Sequence, residues 1–321
     1  AWANSLFEDN AEFGFGMMQG VKQRRAKVIE MVGIIAEDSD TPADIKQATM
    51  AWLEGRDNPA ASKATSEKLE TELKKRIDGT GKAGGESVKL KELYEERDMF
   101  VKPSFWVFGG DGWAYDIGYG GLDHVLAAGE NINILVFDTE LYSNTGGQAS
   151  KSTPTGSVAQ FAAAGKSIKK KDLAQIAISY GYIYVAQISM GANFQQTLNA
   201  IIEAESYDGP SLIIAYSPCI NHGNKNGMGK SIATEKQAVE AGYWNMFRYD
   251  PRNPQPLSID SRPATSSYQD FINSEVRYSS LRLGFPERAE ELFTRAEKEA
   301  KERYDKLVRQ KELYTAQSVK E

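Results

Sequence analysis

A chain of 321 residues, 41% hydrophobic and 26% charged, is long enough to bury a sizeable core without disulfide staples. Its net charge of -6 argues against a general nucleic-acid binder, and apolar runs such as NILVF and SLIIAY are far too short to span a bilayer, so neither nucleic acid nor membrane is an expected partner. The single cysteine, Cys219, excludes a disulfide framework within the chain and suits a reducing, cytoplasmic setting.

The opening AWANSLFEDN has neither an initiator Met nor the basic and apolar regions of a signal peptide, and reads as the interior of a longer protein. Residues 11–57 carry helical spacing, in Val28, Met31, Val32 and Ile35 and again in Ile45, Ala48 and Trp52, which predicts two helices. From 57 to 97 the sequence turns strongly polar. SKATSEKLETELKKRI is helical by composition and DGTGKAGGES is a flexible break, so 57–97 is expected to be a peripheral insertion in a helical N-terminal part, 1–102.

From Pro103 short apolar runs alternate with helical stretches: SFWVFGG, 115–129, NILVFD, 172–180, YIYVAQIS, 192–205, SLIIAYS, 231–243 and NMFRYD. That alternation predicts an α/β core over 103–250, a doubly wound, mostly parallel sheet with flanking helices, whose ligands sit at the carboxyl ends of the strands. KSIKKKD at 166–172 is the one basic cluster, read as a solvated loop and helix start, with an acidic or redox partner patch as the alternative. After Asp250 a Pro-rich segment crosses the surface and opens a C-terminal extension, 251–321. Its terminal helix starts near Pro286 and carries Leu292, Phe293, Ala296, Ala300, Tyr304, Leu307 and Val308 on one stripe, a docking face.

The chemistry concentrates where SFWVFGG breaks into glycines around one acid. The dinucleotide fingerprint fails, because Gly110 and Gly112 are followed by Tyr115 where a third glycine belongs. Two phosphate-loop lookalikes fail too, with Gln160 and Asn224 in place of their first glycines. What remains is a strand, Gly109-Gly110, Asp111, Gly112 and a helix opening at about Tyr115. Glycines let a diphosphate approach the backbone, and a carboxylate beside a diphosphate makes sense with a hard divalent cation between them. Mg2+ needs further oxygens, and a right-handed crossover returns the chain beside its start after some 25–30 residues. Thr139 follows Asp111 by 28 residues, so its hydroxyl and the carbonyl of Leu141 are candidate ligands.

GGDGWAYDIGYGGLDHVLAAGENINILVFDTELYSNTGGQ, with SKSTPTGSVAQFAAAGK, SLFEDNAEFGFGM and SLIIAYSPCINHG, closely resembles the pyruvate:ferredoxin (flavodoxin) oxidoreductase family in its C-terminal, thiamine diphosphate-binding part. The resemblance covers the first thirty residues and about 100 to 250; the polar 57–97 segment and the tail are much less diagnostic. It implies that Gly110, Asp111, Gly112 and Trp113 bind the diphosphate and metal. It implies further that Asp111, Thr139 and the Leu141 carbonyl hold Mg2+, and that Thr139, Glu140, Leu141, Tyr142, Ser143 and Asn144 line the cofactor. Asn144 is placed beside the thiazolium and substrate, where its amide meets the reacting oxoacid; the alternative is an Asn that stabilises the turn before TGG. Cys219 becomes one of four thiolates of a 4Fe-4S cluster whose other three lie upstream of this chain, so the chain alone holds no cluster.

The reaction implied converts pyruvate, coenzyme A and oxidised ferredoxin or flavodoxin to acetyl-coenzyme A, CO2 and the reduced carrier, in a homo-oligomer that needs the enzyme's remaining domains or chains. The Glu that promotes ylide formation in thiamine enzymes is expected from a distant N-terminal domain, with Glu8 and Asp9 left to local structure or packing. His124 is read as packed or exposed, and His222 as a neighbour of Cys219. The alternatives are another 2-oxoacid:ferredoxin oxidoreductase, a non-redox thiamine-dependent decarboxylase that has no use for Cys219, and a fragment that only binds or docks.

Overall fold

The computed structural model describes residues 10–79 and 85–318, which form two compact units, one of the described residues from Phe15 to Phe105 and one of those up to Gly14 and from Trp106 on. Glu8, Asp9 and residues 80–84 of the DGTGKAGGES break lie outside the described residues.

The smaller unit is built from α1 (Ala11–Glu37) from Phe15 onward, α2 (Ala43–Gly55), α3 (Ser62–Gly79) and α4 (Gly85–Glu95). Asn10 caps the start of α1 through its side-chain oxygen, 3.2 Å from the Phe13 amide. Val28, Val32, Ile35, Ile45, Ala48 and Trp52 meet in one core, as the helical spacing predicts. The same core takes Leu69 and Leu73 of α3, Leu90 and Leu93 of α4, and Phe100. Residues 57–97 are therefore an integral part of this helical unit: four buried leucines outweigh a polar composition that belongs to the solvated faces. The buried Arg25 guanidinium ties the chain end to the helices, donating to the carbonyls of Met99, Phe100, Val101 and Arg56 at 2.6–3.2 Å.

The larger unit holds a six-stranded sheet of β1 (Trp106–Gly110), β2 (Asn133–Asp138), β3 (Tyr184–Ile188), β4 (Ser211–Tyr216), β5 (Phe247–Tyr249) and β6 (Leu257–Ile259), in the order β1-β2-β4-β3-β5-β6. The first four are parallel, and β5 and β6 add on antiparallel. The expected α/β sheet with flanking helices is thus present. The helices between strands are α5 (Tyr119–Ala127), α6 (Leu173–Ile178), α7 (Phe194–Ser206) and α8 (Ser231–Glu240). α7 buries Ala200 and Ala204 against Tyr184, Ala186, Ile188 and Ile213 of the sheet. Near-continuous apolar strands are what a sheet covered on both faces requires, and β4 is buried at all but Ala215.

The C-terminal extension departs from the sequence expectation before its terminal helix. The Pro-rich segment after Asp250 contains β6, paired with β5 through Phe247↔Ile259 and Tyr249↔Leu257, and is followed by α9 (Tyr268–Asn273) and α10 (Val276–Gly284). α11 (Pro286–Ser318) starts where Pro286 predicts, and buries Leu292, Phe293, Ala296, Ala300 and Leu307 of its stripe within the unit. No helix among the described residues is long and apolar enough to cross a membrane.

Because β1, β2 and β4 are consecutive neighbours running in the same direction, their carboxyl ends lie side by side. Those ends lead into Asp111, Thr139 and Cys219 respectively.

Candidate functional site

The chain leaves β1 at Gly110 and enters a wide π turn over Gly112–Ile117, three residues before the expected helix start. Its shape follows from Trp113, whose ring occupies the space of two missing side chains: a Cβ on Gly109 would fall 2.2 Å from it and one on Gly118 2.5 Å from it. Gly112 is pinned from the other side, since its Cβ would fall 2.4 Å from the Tyr142 ring. At Gly110 the situation reverses, and a Cβ there would meet nothing within 4 Å. Backbone at Gly110 therefore faces open space.

Asp111 does not cap the turn with its side chain. It is buried, 2% exposed, and points at the loop that follows β2. Thr139 Oγ1 lies 3.0 Å from Asp111 Oδ1 and 3.0 Å from the Leu141 carbonyl oxygen, while the buried Ser152 hydroxyl donates to Asp111 Oδ2. Burial first, and then the charge of Asp138, raise the Asp111 carboxyl to about 7, with Ser152, Lys170 and Thr139 pulling it back. The carboxylate, hydroxyl and carbonyl named from the sequence thus converge.

This oxygen set fits a divalent cation. Octahedral ligands at about 2.0–2.1 Å stand roughly 2.9 Å apart along each edge, close to both 3.0 Å spacings. A buried carboxylate with a raised pKa is one that a cation would stabilise in its charged form. The nearby ammonium, Lys170, is committed to Asp138 at 2.7 Å and Glu140 at 3.1 Å.

The loop after Thr139 divides its residues between two tasks. Glu140 turns its carboxylate inward, to Lys170, to Arg277 Nη2 at 2.8 Å and to the Tyr243 hydroxyl. Burial pushes that carboxyl up, but Lys170 first, then Arg277 and His222, bring it down to about 2. Tyr142 lays its ring on Gly112, and its amide and carbonyl bond Gln148 and Gly147 at 2.9 and 2.7 Å. The turn is closed by Thr145, Gln148 and Gln160, through Thr145 Oγ1 to Gln148 Oε1 at 2.6 Å and Gln160 Nε2 to the Gly146 carbonyl at 2.7 Å. Among the described residues none of these bonds uses the Asn144 amide, which stands exposed at the tip.

Cys219 is buried after β4, and its turn packs on the same loop. Asn221 directs its amide N–H toward the sulfur at 3.5 Å, and its side-chain Nδ2 lies 3.8 Å from the sulfur and 3.4 Å from the Ser143 carbonyl. His222 is completely buried, with Nε2 2.6 Å from the Thr139 carbonyl. His124 is exposed on α5.

Sequence reasoning missed Ser152, Lys170 and Arg277. The basic cluster at 166–172 is a structural support as much as a surface: Lys166 donates to the Ser150 and Thr153 carbonyls, both at 2.6 Å, and Lys171 sits over the Tyr119 ring. Of the cluster's lysines only Lys169 is exposed, while Lys170 turns in to Asp138 at the end of β2 and to Glu140 in the loop that follows.

Residues 89–215 match the family model described as the thiamine pyrophosphate enzyme, C-terminal TPP binding domain. Asp111 and the loop from Thr139 to Asn144 fall inside the match, and Cys219 lies just beyond it. Along nearly its whole length the chain is also similar to particular oxidoreductases. It is 51% identical over 316 residues to the pyruvate:ferredoxin oxidoreductase of Moorella thermoacetica, covering 96% of this chain and 26% of that protein. To the pyruvate-flavodoxin oxidoreductase of Klebsiella pneumoniae it is 50% identical, over 95% of this chain and 26% of that protein. The NADP(+) pyruvate dehydrogenase of Euglena gracilis is 43% identical, over 90% of this chain and 16% of that protein. The chain spans about a quarter of the length of the first two relatives.

Proposed function

We propose that this chain is the thiamine diphosphate- and Mg2+-binding portion of a larger enzyme that oxidatively decarboxylates pyruvate with coenzyme A and passes the electrons through iron-sulfur clusters to ferredoxin or flavodoxin. The observation that carries the reading is that Thr139 Oγ1 stands at octahedral-edge spacing from both Asp111 Oδ1 and the Leu141 carbonyl oxygen, next to the open backbone of Gly110. Residues 103–250 are the cofactor core, 1–102 its helical N-terminal part, and 251–321 an extension that braces the site through Arg277.

The nucleophilic carbon and the electron sink for loss of CO2 belong to thiamine diphosphate. The chain's residues bind and orient. Asp111, Thr139 and the Leu141 carbonyl would hold Mg2+, whose charge would offset that of the diphosphate. Gly110, Gly112 and Trp113 present backbone to the phosphates, and Leu141, Tyr142 and Ser143 wall the site. Asn144, left exposed by the turn it belongs to, offers its amide to the oxygen of the reacting oxoacid. Cys219 supplies one thiolate of a 4Fe-4S cluster, with three more from outside this chain. The enzyme's remaining domains complete the catalytic centre, which works in a cytoplasmic homo-oligomer.

Pyruvate-dependent reduction of ferredoxin or flavodoxin by the full-length enzyme, with and without coenzyme A, tests the reaction. In Asn144→Ala the turnover falls by a factor corresponding to about 2–4 kcal/mol of transition-state stabilisation while thiamine diphosphate affinity stays nearly constant. Equal losses in affinity and turnover would assign Asn144 to the turn instead.

A further inference from the structure

Between the two loop residues proposed to hold Mg2+ stands Glu140, with φ 61, one of two described residues other than glycine with positive φ. A side chain disfavours that conformation, so something must hold it. Every polar group of the residue is engaged. Its amide donates to Asp138 Oδ1 at 3.1 Å, and Thr153 Oγ1 donates to its carbonyl at 2.6 Å. Lys170 takes one carboxylate oxygen, and Arg277 and Tyr243 take the other. The clamps are fixed in turn, Lys170 by Asp138 and Arg277 by Glu275 at 2.8 Å, with Glu140, Arg277 and Glu275 each at most 2% exposed at the side chain.

Buried ion networks of this kind add little stability over a well-packed apolar core, so their effect is sought in conformation. Here the effect is local and visible. A reversed residue at 140 folds the chain back at the end of β2, and the Thr139 hydroxyl and Leu141 carbonyl come to 3.0 Å of one another, on the side of Asp111. With φ negative at 140 the loop would leave in another direction, and this spacing would be lost.

We infer that Glu140 is a positioning residue: its carboxylate, clamped by Lys170, Arg277 and Tyr243, holds the left-handed backbone that sets the Mg2+ ligand geometry. The inference rests on the Mg2+ reading of the site. The Glu140 carboxylate is taken up by Lys170, Arg277 and Tyr243, so it acts through the backbone it holds.

The test compares Glu140→Ala with Glu140→Gly in the full-length enzyme, by calorimetric titration of Mg2+ into apoenzyme with saturating thiamine diphosphate. Both variants remove the carboxylate, but only glycine adopts positive φ without strain. Glu140→Ala weakens Mg2+ binding by about tenfold, and Glu140→Gly stays within about threefold of wild type. If Glu140→Ala does not fold, Arg277→Lys with and without Glu140→Gly makes the same comparison, the single variant weakening Mg2+ binding and the added glycine restoring it. Equal affinity in the alanine and glycine variants, whether both are normal or both are weak, overturns the inference, as does failure of the added glycine to restore binding. Asp111→Asn separates the two levels: unchanged Mg2+ affinity there rejects the metal site, whereas weakened affinity with a normal Glu140→Ala rejects only the positioning role.

Discussion

Two glycines two residues apart illustrate how differently the same side chain is absent. At Gly112 the space is filled by Tyr142, so Gly112→Ala forces the ring and its loop aside. This overpacking lowers stability by about 1–3 kcal/mol, read in a thermal melt. At Gly110 nothing stands within 4 Å, so Gly110→Ala leaves the melt unchanged and weakens thiamine diphosphate binding by obstructing the backbone's approach to the phosphates. A normal affinity in Gly110→Ala would move the diphosphate elsewhere. The sequence made Asp111 and Thr139 legible as a pair because one strand-helix-strand crossover fixes their separation at 28 residues. No such rule reaches Ser152, 41 residues from Asp111, or Arg277, 137 from Glu140, since those contacts depend on where long loops fold back. The assignment of Cys219 came from resemblance, because a lone buried thiol after a strand has no chemical signature of its own.

At the scale of elements, periodicity identified every strand but one. β6 escaped because three residues, Leu257–Ile259, are too few to show an alternation, and the prolines around them suggest a surface crossing; only pairing with β5 makes them a strand. The polar segment misled in the opposite way. α3 exposes most of its circumference, and its mean composition hides that Leu69 and Leu73 recur at a one-turn spacing and are fully buried. Leu69→Ala therefore destabilises the helical unit by about 2–5 kcal/mol, as for other large-to-small core changes. Chemical denaturation of the protein measures the loss. A change below ~0.5 kcal/mol would mean that α3 is the peripheral element its composition suggests.

For the whole molecule, the decisive fact is that β1, β2 and β4 deliver Asp111, Thr139 and Cys219 to neighbouring positions on one sheet edge. Through Asn221 the sulfur is linked to the Ser143 carbonyl, next to Asn144, the contact by which the proposed cluster ligand would lie near the proposed reacting centre. In the full-length enzyme Cys219→Ser loses or perturbs one set of cluster EPR signals and impairs carrier reduction, while thiamine diphosphate binding largely survives. An unchanged cluster spectrum and full carrier reduction would make the thiol a packing residue. The central claim, that Asp111, Thr139 and the Leu141 carbonyl hold the metal that anchors the diphosphate, is tested most directly by titrating Mg2+ and thiamine diphosphate into wild-type and Asp111→Asn apoenzyme. An amide in place of the buried carboxylate weakens binding on the order of a hundredfold, with the fold retained by circular dichroism. Equal affinity in the two proteins would contradict the account.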